Sequence, residues 1–303
     1  MLRMQGITKR FGGVQALANL TMEVPEGSVF ALVGPNGAGK TTAVKISLNI
    51  LRPTAGRAEV LGVDSCKLGP SELAQIGYMS ENRQLPDWMP VRYFLAYCRE
   101  FYPTWQDEDL AELIRVYELP LDRPLKALSR GMRVKVALAA ALSYRPRLLI
   151  LDEPFSGLDV LVREQLIESI LERTAETTVF LASHDLTEIE SFATHVAYLD
   201  QGRVQFVEEM SALSERFREI EVVLDGPVEL PRNLPSSWLN PEQCSAVVRF
   251  THSRYEPHRN DVEIRHHLPR VREIEARCIP LRAIFVALAK SAKNTTSRGD
   301  LCD

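Results

Sequence analysis

The chain has 303 residues, a formal net charge of −4, 45% hydrophobic residues and 25% charged residues. This length allows one large domain or two ordinary ones, and the composition is that of a soluble globular protein. Without a basic excess or a basic run there is no reason to expect a nucleic-acid partner, and no run of 18 apolar residues is present that could span a membrane.

The spacing of apolar residues indicates strands that alternate with helices. The first 25 residues alternate between apolar and polar side chains around Gly12-Gly13, which predicts an antiparallel hairpin. The run from Ser28 to Val33 predicts a buried strand, and Thr41 to Leu51 predicts a helix that Pro53 closes. Later runs predict two buried parallel strands and three helices: Leu148–Leu151, Thr178–Ala182, Asp107–Tyr117, Met132–Ser143 and Leu161–Arg173. This alternation favours an α/β fold around a parallel sheet.

A glycine-rich segment lies between the strand at 28–33 and the helix that follows it. It reads GPNGAGKTT, from the residues Gly34, Pro35, Asn36, Gly37, Ala38, Gly39, Lys40, Thr41 and Thr42. The spacing G-x-x-x-x-G-K-T is typical of a phosphate loop, in which backbone N–H groups and a helix N-terminus surround phosphate. Lys40 would reach the β- and γ-phosphates, and the Thr41 hydroxyl would bind Mg²⁺. A turn that matches by accident is the alternative, but the flanking strand and helix favour a nucleotide site.

Two further segments supply the groups that hydrolysis needs. The apolar strand at 148–151 runs directly into Asp152 and Glu153, which it would deliver to the carboxyl edge of the sheet, where α/β proteins bind ligands. Asp152 can bind Mg²⁺, and Glu153 can polarise the attacking water. His184 follows the strand expected beside this one and could hydrogen-bond the γ-phosphate and the water. A lone histidine in this position is otherwise a surface or capping residue.

The order of five motifs, GPNGAGKTT, LSRGM, LILDEP, SGLD and SHD, resembles that of ATP-binding subunits of ATP-binding cassette (ABC) transporters. The resemblance covers roughly Leu2 to Met210. It implies a P-loop NTPase cassette over residues 1–210, with a parallel sheet core, an antiparallel β subdomain and a helical subdomain at about 82–145. The aromatic-rich part of that subdomain is expected to grip a helix of a membrane subunit.

The family resemblance also implies that two such domains face head to tail and enclose two ATP molecules. The signature stretch, which in this family caps the phosphates held by the partner, would be Ser129, Arg130, Gly131 and Met132. The usual form is Leu-Ser-Gly-Gly-Gln, so Arg130 replaces a glycine and Met132 a glutamine, whereas the contacting serine and second glycine are kept. Asp159 would lie in the loop that links the two sites, called the D-loop.

Two more nucleotide contacts follow from the resemblance alone. Phe11 matches the aromatic residue that stacks on adenine, although the residue by itself reads as part of the core. Glu81 stands where the family usually has a glutamine that contacts the metal. A glutamate could still reach Mg²⁺, but it adds negative charge near the phosphates. The resemblance thus gives ATP and Mg²⁺ as cofactors, with Thr41, Asp152 and Glu81 as candidate metal ligands.

Residues 211–303 differ from the rest in composition and in the length of the expected strands. Prolines cluster, strands look short, and a helix is expected in LRAIFVALAKSAK, so this part is expected to be a small α+β accessory domain. The segment IPLRAIFVALAK resembles the C-terminal helix of ATPases that serve ABC-2-type exporters. The histidines in this region fit no standard zinc spacing and are expected at solvated loop and strand positions: His252, His258, His266 and His267.

The favoured hypothesis is an ATPase subunit of an exporter that works with a second ATP-binding subunit, as a homo- or heterodimer, and with a separate polytopic membrane subunit. It is expected at the cytoplasmic face of a bacterial-type membrane, without a nucleic-acid partner. The alternative is a soluble ABC ATPase that acts on ribosomes or DNA. A degenerate cassette that binds without hydrolysis is disfavoured, because Lys40, Asp152, Glu153 and His184 are all present.

Overall fold

A computed structural model describes residues 1–80, 85–226, 228–231, 233–288 and 290. The chain forms two compact units. The first contains Met1–Asp185 and Ser191–Val207, and the second contains Leu186–Glu190 and the residues from Glu208 onward. Among the described residues, no helix has both the length and the apolar character required to cross a membrane.

The first unit has ten strands and six α-helices among its described residues. The strands are β1 Leu2–Phe11, β2 Val14–Val24, β3 Val29–Val33, β4 Ala55–Val60, β5 Val63–Asp64, β6 Ile76–Ser80, β7 Leu148–Asp152, β8 Thr178–Ser183, β9 His195–Asp200 and β10 Arg203–Glu209, the last of which extends past the unit's end. The helices are α1 Lys40–Ser47, α2 Pro70–Leu73, α3 Val91–Arg99, α4 Asp107–Val116, α5 Arg130–Leu142 and α6 Val160–Leu171.

Two sheets organise this unit. One has the strand order β2-β1-β4-β5 and includes the expected antiparallel hairpin of β1 and β2. The other has the order β10-β9-β3-β8-β7-β6, and the pairs β9–β3, β3–β8, β8–β7 and β7–β6 are parallel. The sequence-based expectation of an α/β fold with a parallel core and an antiparallel sheet is therefore confirmed.

The parallel sheet is apolar because its central strands are covered on both faces. All five residues of β3 and all six of β8 are buried, which fits their near-continuous apolar sequences. Phe30 and Phe180 on these strands have ring centroids 6.1 Å apart and lie in the same core cluster as Val44 and Ile46 of α1. Burial of each such side chain stabilises the fold by about 1.5–3 kcal/mol, and this packing fixes the start of α1 against the sheet.

One predicted helix boundary is wrong. The helix expected from Thr41 to Leu51 runs from Lys40 to Ser47. It stops because Asn49 adopts a left-handed backbone with φ 57°, a conformation in which asparagine is tolerated at helix ends. The N–H groups of Ile50 and Leu51 both bond back to the carbonyl of Lys45.

The second unit is a sheet with helices, as expected for an α+β domain. Its elements are α7 Leu186–Ile189, α8 Met210–Arg216, β11 Arg218–Leu224, β12 Trp238–Cys244, β13 Val247–His252, α9 Pro257–His267, β14 Val271–Cys278 and a helix over residues 281–288. The strand order is β12-β13-β11-β14, and the paired strands are antiparallel. Alternate residues such as Ile220, Val222 and Phe250 face a core that includes Ile264 of α9.

The histidines of this unit do not lie where the sequence predicted. His258, His266 and His267 are on α9, which was not anticipated and which Pro257 opens in a position suited to proline. His252 is buried on β13 instead of solvated. The apolar spacing of α9 is weak, because Ile264 is its main buried apolar contact with the core, and this explains why the helix was missed.

Candidate nucleotide site

The sheet order brings the candidate residues to one edge. Strand β8 lies between β3 and β7, with Val33 paired to Ser183 and Ala182 paired to Asp152. Because all three strands are parallel, their carboxyl ends lie together. The glycine-rich loop follows β3, the acidic pair ends β7, and His184 follows β8, as the sequence predicted for the neighbour of the acidic strand.

The glycine-rich loop leads directly into α1 through Gly39. This residue has φ 109°, and a Cβ atom there would lie 2.5 Å from the Ala16 carbonyl oxygen, so only glycine fits. The loop is closed by a hydrogen bond from Ala38 N to Pro35 O at 3.1 Å. The first N–H groups of α1 consequently face the loop at the positive end of the helix dipole, which is suited to an anion.

Lys40 is buried, with 5% of its side chain exposed, and its ammonium group is held inside the loop. Its Nζ donates to Gly34 O at 2.8 Å and to Pro35 O at 3.3 Å, and it lies 3.3 Å from Glu153 Oε1. One carboxylate and two carbonyl oxygens thus face this buried ammonium group, and a phosphate group would offer it a doubly charged partner. The arrangement therefore favours phosphate binding.

Asp152 and Thr41 form a hydroxyl–carboxylate pair beside the loop. Thr41 Oγ1 donates to Asp152 Oδ1 at 3.1 Å. Burial raises the pKa of the Asp152 carboxyl, and the Thr41 hydrogen bond offsets only part of this effect. Two hard oxygen donors and an under-compensated buried carboxylate fit a magnesium ion, which usually takes one or two carboxylates and completes its shell with water and phosphate. Among the described residues, no group of three or more His, Cys, Asp or Glu side chains forms a metal cluster.

Glu153 joins the loop to His184. One carboxylate oxygen contacts Lys40, and the other lies 2.7 Å from His184 Nδ1 and accepts a longer bond from the His184 backbone N–H at 3.3 Å. An ionised carboxylate can only accept, so Nδ1 carries the proton and Nε2 remains open to another partner. Glu153 also has φ 53°, a strained conformation for this residue type, which its N–H bond to Ala182 O at 2.8 Å helps to hold.

The signature residues lie at the start of α5. Ser129 caps α5 by accepting from Met132 N at 3.2 Å, and its side chain is solvent exposed, as is that of Arg130. Asp159 caps α6 in the same way, accepting from Val162 N at 3.0 Å. Each side chain therefore has a local structural role at a helix start, where N–H groups are available for an anion.

Phe11 ends β1 with 47% of its side chain exposed, so the alternative reading as a core residue is wrong. The ammonium group of Lys9 lies 5.0 Å from the centre of its ring. No clear signal in the sequence indicated this contact, because the pairing register of β1 is irregular on both sides of Lys9. Glu81 lies outside the described residues.

The loop, the two adjacent acids and the parallel sheet define a P-loop nucleoside triphosphatase. A family model described as ABC transporter matches residues 17–156. Daunorubicin resistance ATP-binding protein DrrA2 of Streptomyces coeruleorubidus is 33% identical over 276 residues, which are 88% of this chain and 82% of that protein. The chain belongs to the family of ABC transporter ATP-binding proteins.

Other relatives have different names within the same family. ABC transporter ATP-binding protein YtrB of Bacillus subtilis (strain 168) is 27% identical over 240 residues, 78% of this chain and 82% of the relative. Probable sulfate/thiosulfate import ATP-binding protein CysA of Chlorella vulgaris is 31% identical over 219 residues, 70% of this chain and 92% of the relative. The chain spans only 59% and 63% of the length of two further curated relatives.

Solved structures agree on the fold. The ATP-binding subunit of an ABC transporter is similar with a TM-score of 0.65 at 26% identity, covering 71% of this chain and 92% of that one. A dimeric cassette in a post-hydrolysis state with ADP and Pi is similar with a TM-score of 0.61 at 23% identity, covering 69% and 99%. At this identity the second likeness concerns the fold alone. As a member of this family, the chain is an ATPase.

Proposed function

We propose that this chain is the ATPase subunit of an exporter, in which two copies enclose two ATP molecules and drive a separate membrane subunit. The observation that carries the proposal is the division of the site. One side is assembled around buried Lys40 and Asp152, with the loop tip from Pro35 to Gly37 exposed above them. On the signature side, Ser129 and Arg130 are exposed, and Gly131 and Met132 are half-buried. A second copy placed head to tail would supply each loop with the missing signature.

Within this dimer, each residue has a defined task. Lys40 and the loop N–H groups bind the β- and γ-phosphates, and Ser129 and Gly131 of the other copy contact the γ-phosphate from the opposite side. When bound, Mg²⁺ held by Thr41 and Asp152 supplies charge neutralisation at the phosphates. We also assign Glu81 to this metal shell and Phe11 to adenine stacking.

Glu153 and His184 would prepare the attacking water. Phosphate draws the Lys40 ammonium group away from Glu153, and the freed carboxylate oxygen accepts a hydrogen bond from water. His184 keeps its Nδ1 bond to the other oxygen, which orients the carboxylate. A hydrogen bond from Nε2 to a γ-phosphate oxygen requires a proton on Nε2 as well, which makes the ring an imidazolium. ATP binding then favours the closed dimer and hydrolysis the open one, a ligand-driven population shift.

The membrane subunit would dock on the aromatic side chains around α3. Four large aromatic residues of this region are between 56% and 72% exposed: Trp88, Tyr93, Tyr97 and Phe101. Tyr97 and Phe101 contact each other with ring centroids 4.9 Å apart. Aromatic residues are enriched in protein interfaces, and such a concentration of exposed rings on a water-facing helix is otherwise costly.

The argument for export comes from the second unit. The match to the daunorubicin resistance protein extends over 276 residues and so includes much of residues 211–303, whereas the match to the sulfate/thiosulfate import protein covers 219 residues. We propose that residues 211–303 form an accessory domain of the exporter type. None of the relatives described above is named for ribosomes or DNA, so they give no support to that alternative.

Two experiments test this function. Purification of the tagged chain from detergent-solubilised membranes should recover a polytopic membrane protein, and W88S/Y97S should lose it, whereas V262S, at an exposed valine of α9, should not. Inside-out vesicles that carry the complex, given ATP and a small-molecule extract of the same cells, should accumulate a compound that E153Q vesicles do not. Depletion of a preloaded compound instead would indicate import, and a membrane-free complex with ribosomes or DNA would refute transport.

A further inference from the structure

Arg130 occupies a position where the family signature has glycine, and the structure shows where its side chain goes. The guanidinium lies against the D-loop, Ser156 to Asp159, of the same chain. A Cβ atom built on Gly157 would lie 3.3 Å from both Cζ and Nη1 of Arg130. Gly157 has φ +67°, a conformation that favours glycine, and a Cβ atom there would crowd the guanidinium.

A second contact joins the same two segments one residue further along. A Cβ atom built on Gly131 would lie 3.4 Å from Cγ1 of Val162, in the first turn of α6. The starts of α5 and α6 are thus packed together, and each is fixed by its own cap, Ser129 and Asp159. Movement of the signature at one helix start would therefore be transmitted to the D-loop at the other.

The D-loop is connected in turn to the catalytic carboxylate. Ser156 N donates to Glu153 O at 3.5 Å, and Leu158 N donates to Phe155 O at 3.1 Å, so residues 153–158 form successive turns. Arg130 and Ser156 also line one cavity of about 400 Å³ together with Glu153. A short covalent and packed path thus leads from the Arg130 guanidinium through Gly157 to Glu153.

We propose that Arg130 is a positioning residue that braces the D-loop of its own chain through Gly157, and so couples the signature to Glu153. In the dimer proposed above, the signature faces the partner's ATP and Glu153 faces the chain's own ATP. The brace therefore links the two ATP sites within one polypeptide. The flat guanidinium suits this task because it covers the bare Gly157 backbone as a rigid plane, which a flexible lysine stem covers only in part.

The brace is tested in the full-length chain without nucleotide, so the first readout does not depend on dimer formation. Hydrogen–deuterium exchange of the segment 154–160 should rise about fivefold in R130A, because local opening of the loop becomes easier. The matched control is R133A, which removes a neighbouring arginine that pairs with Asp87 and donates to Leu125 O instead. This control should leave exchange in 154–160 unchanged.

The second readout is the kinetics of ATP hydrolysis. R130A should lower kcat about three- to tenfold with KM for ATP within about twofold, and R130K should recover part of the loss. Unchanged exchange in R130A would overturn the brace whatever the kinetics show. A raised KM with unchanged kcat would also overturn it, since that would mean that Arg130 touches the partner's phosphate directly. Failure of the dimer proposal would instead appear as increased exchange in R130A with no ATP-dependent association of the wild-type chain.

Discussion

Both units of this chain bury polar side chains, but they satisfy them in different ways. In the first unit, Lys40 and Asp152 are about 95% buried at the edge of the parallel sheet. Lys40 contacts Glu153 and two carbonyl oxygens, and the Thr41 hydrogen bond offsets only part of the burial cost of the Asp152 carboxylate. In the second unit, Nδ1 of buried His252 accepts from Arg254 N at 3.1 Å, and its Nε2 lies 3.4 Å from the acceptor Glu263 Oε2. The first arrangement is suited to a charged ligand, whereas the second holds a strand and a helix together.

The largest expected effect on ATP hydrolysis comes from Glu153, the carboxylate that contacts Lys40. E153Q should lower ATP hydrolysis about 10²- to 10⁴-fold, the usual contribution of a general base, and leave ATP binding intact. Steady-state hydrolysis and equilibrium dialysis with labelled ATP measure the two quantities. E215Q, at an exposed residue of α8, serves as the control. Near-normal hydrolysis in E153Q would remove Glu153 from the mechanism.

The buried ammonium group should matter for binding. K40A deletes a charge-assisted contact to phosphate, which is worth roughly 1.5–3 kcal/mol, so the Kd for ATP should rise about ten- to 150-fold. Isothermal titration of the wild type, K40A and the exposed-lysine variant K67A would show this. Equal affinities for all three would mean that Lys40 is buried for structural reasons, like His252.

The Asp152 carboxylate should lower the stability of the fold, although the proposed metal site needs it. Its raised pKa means that the ionised carboxylate costs stability at neutral pH, a cost that shrinks as pH falls through the folded pKa and is gone below the unfolded pKa. D152N keeps an oxygen for the Thr41 hydroxyl and removes the charge, so it should raise the free energy of unfolding of the nucleotide-free chain by about 1 kcal/mol. Urea denaturation checks this at pH 7.5. A destabilised D152N would show that the carboxylate is well compensated, which would weaken the contrast drawn above.

The smallest effect is expected at His252. Burial lowers its pKa, and Glu263 opposes this only in part, so folding favours the neutral ring. The stabilisation is present above the unfolded pKa of about 6.5 and is lost as pH falls through the lower folded pKa. Exchange of the β13 amides should therefore rise between pH 7 and pH 5, after correction for intrinsic rates. H252Q should flatten this dependence, and a persisting dependence in that variant would assign it to other groups.

The same contrast explains what the sequence could predict. The places of the glycine-rich loop, the acidic pair and His184 at neighbouring strand ends could be predicted, because each follows an apolar strand of clear length. The second unit offered no such pattern, so α9 and the burial of His252 went unforeseen. Burial of a polar residue depends on partners distant in sequence, here Asn260 and Glu263, and pattern reasoning does not find them.

The Arg130 contact was unpredictable for the same reason. The sequence flagged Arg130 as a departure from the family signature, but its neighbour Gly157 lies 27 residues further along the chain. Only the packing of α5 against α6 brings them together. The apolar spacing predicted too late an end for α1, because the left-handed backbone at Asn49 ends the helix before that spacing does.

The central claim is that an assembled loop side and an exposed signature side from two copies together enclose ATP. Sedimentation velocity of E153Q with ATP and Mg²⁺ tests it most directly, with E153Q/S129R as the comparison. We predict a dimer for E153Q and a monomer that still binds one ATP per chain for E153Q/S129R. An E153Q chain saturated with ATP that stays monomeric, or a dimer that forms equally well with S129R, would contradict the account.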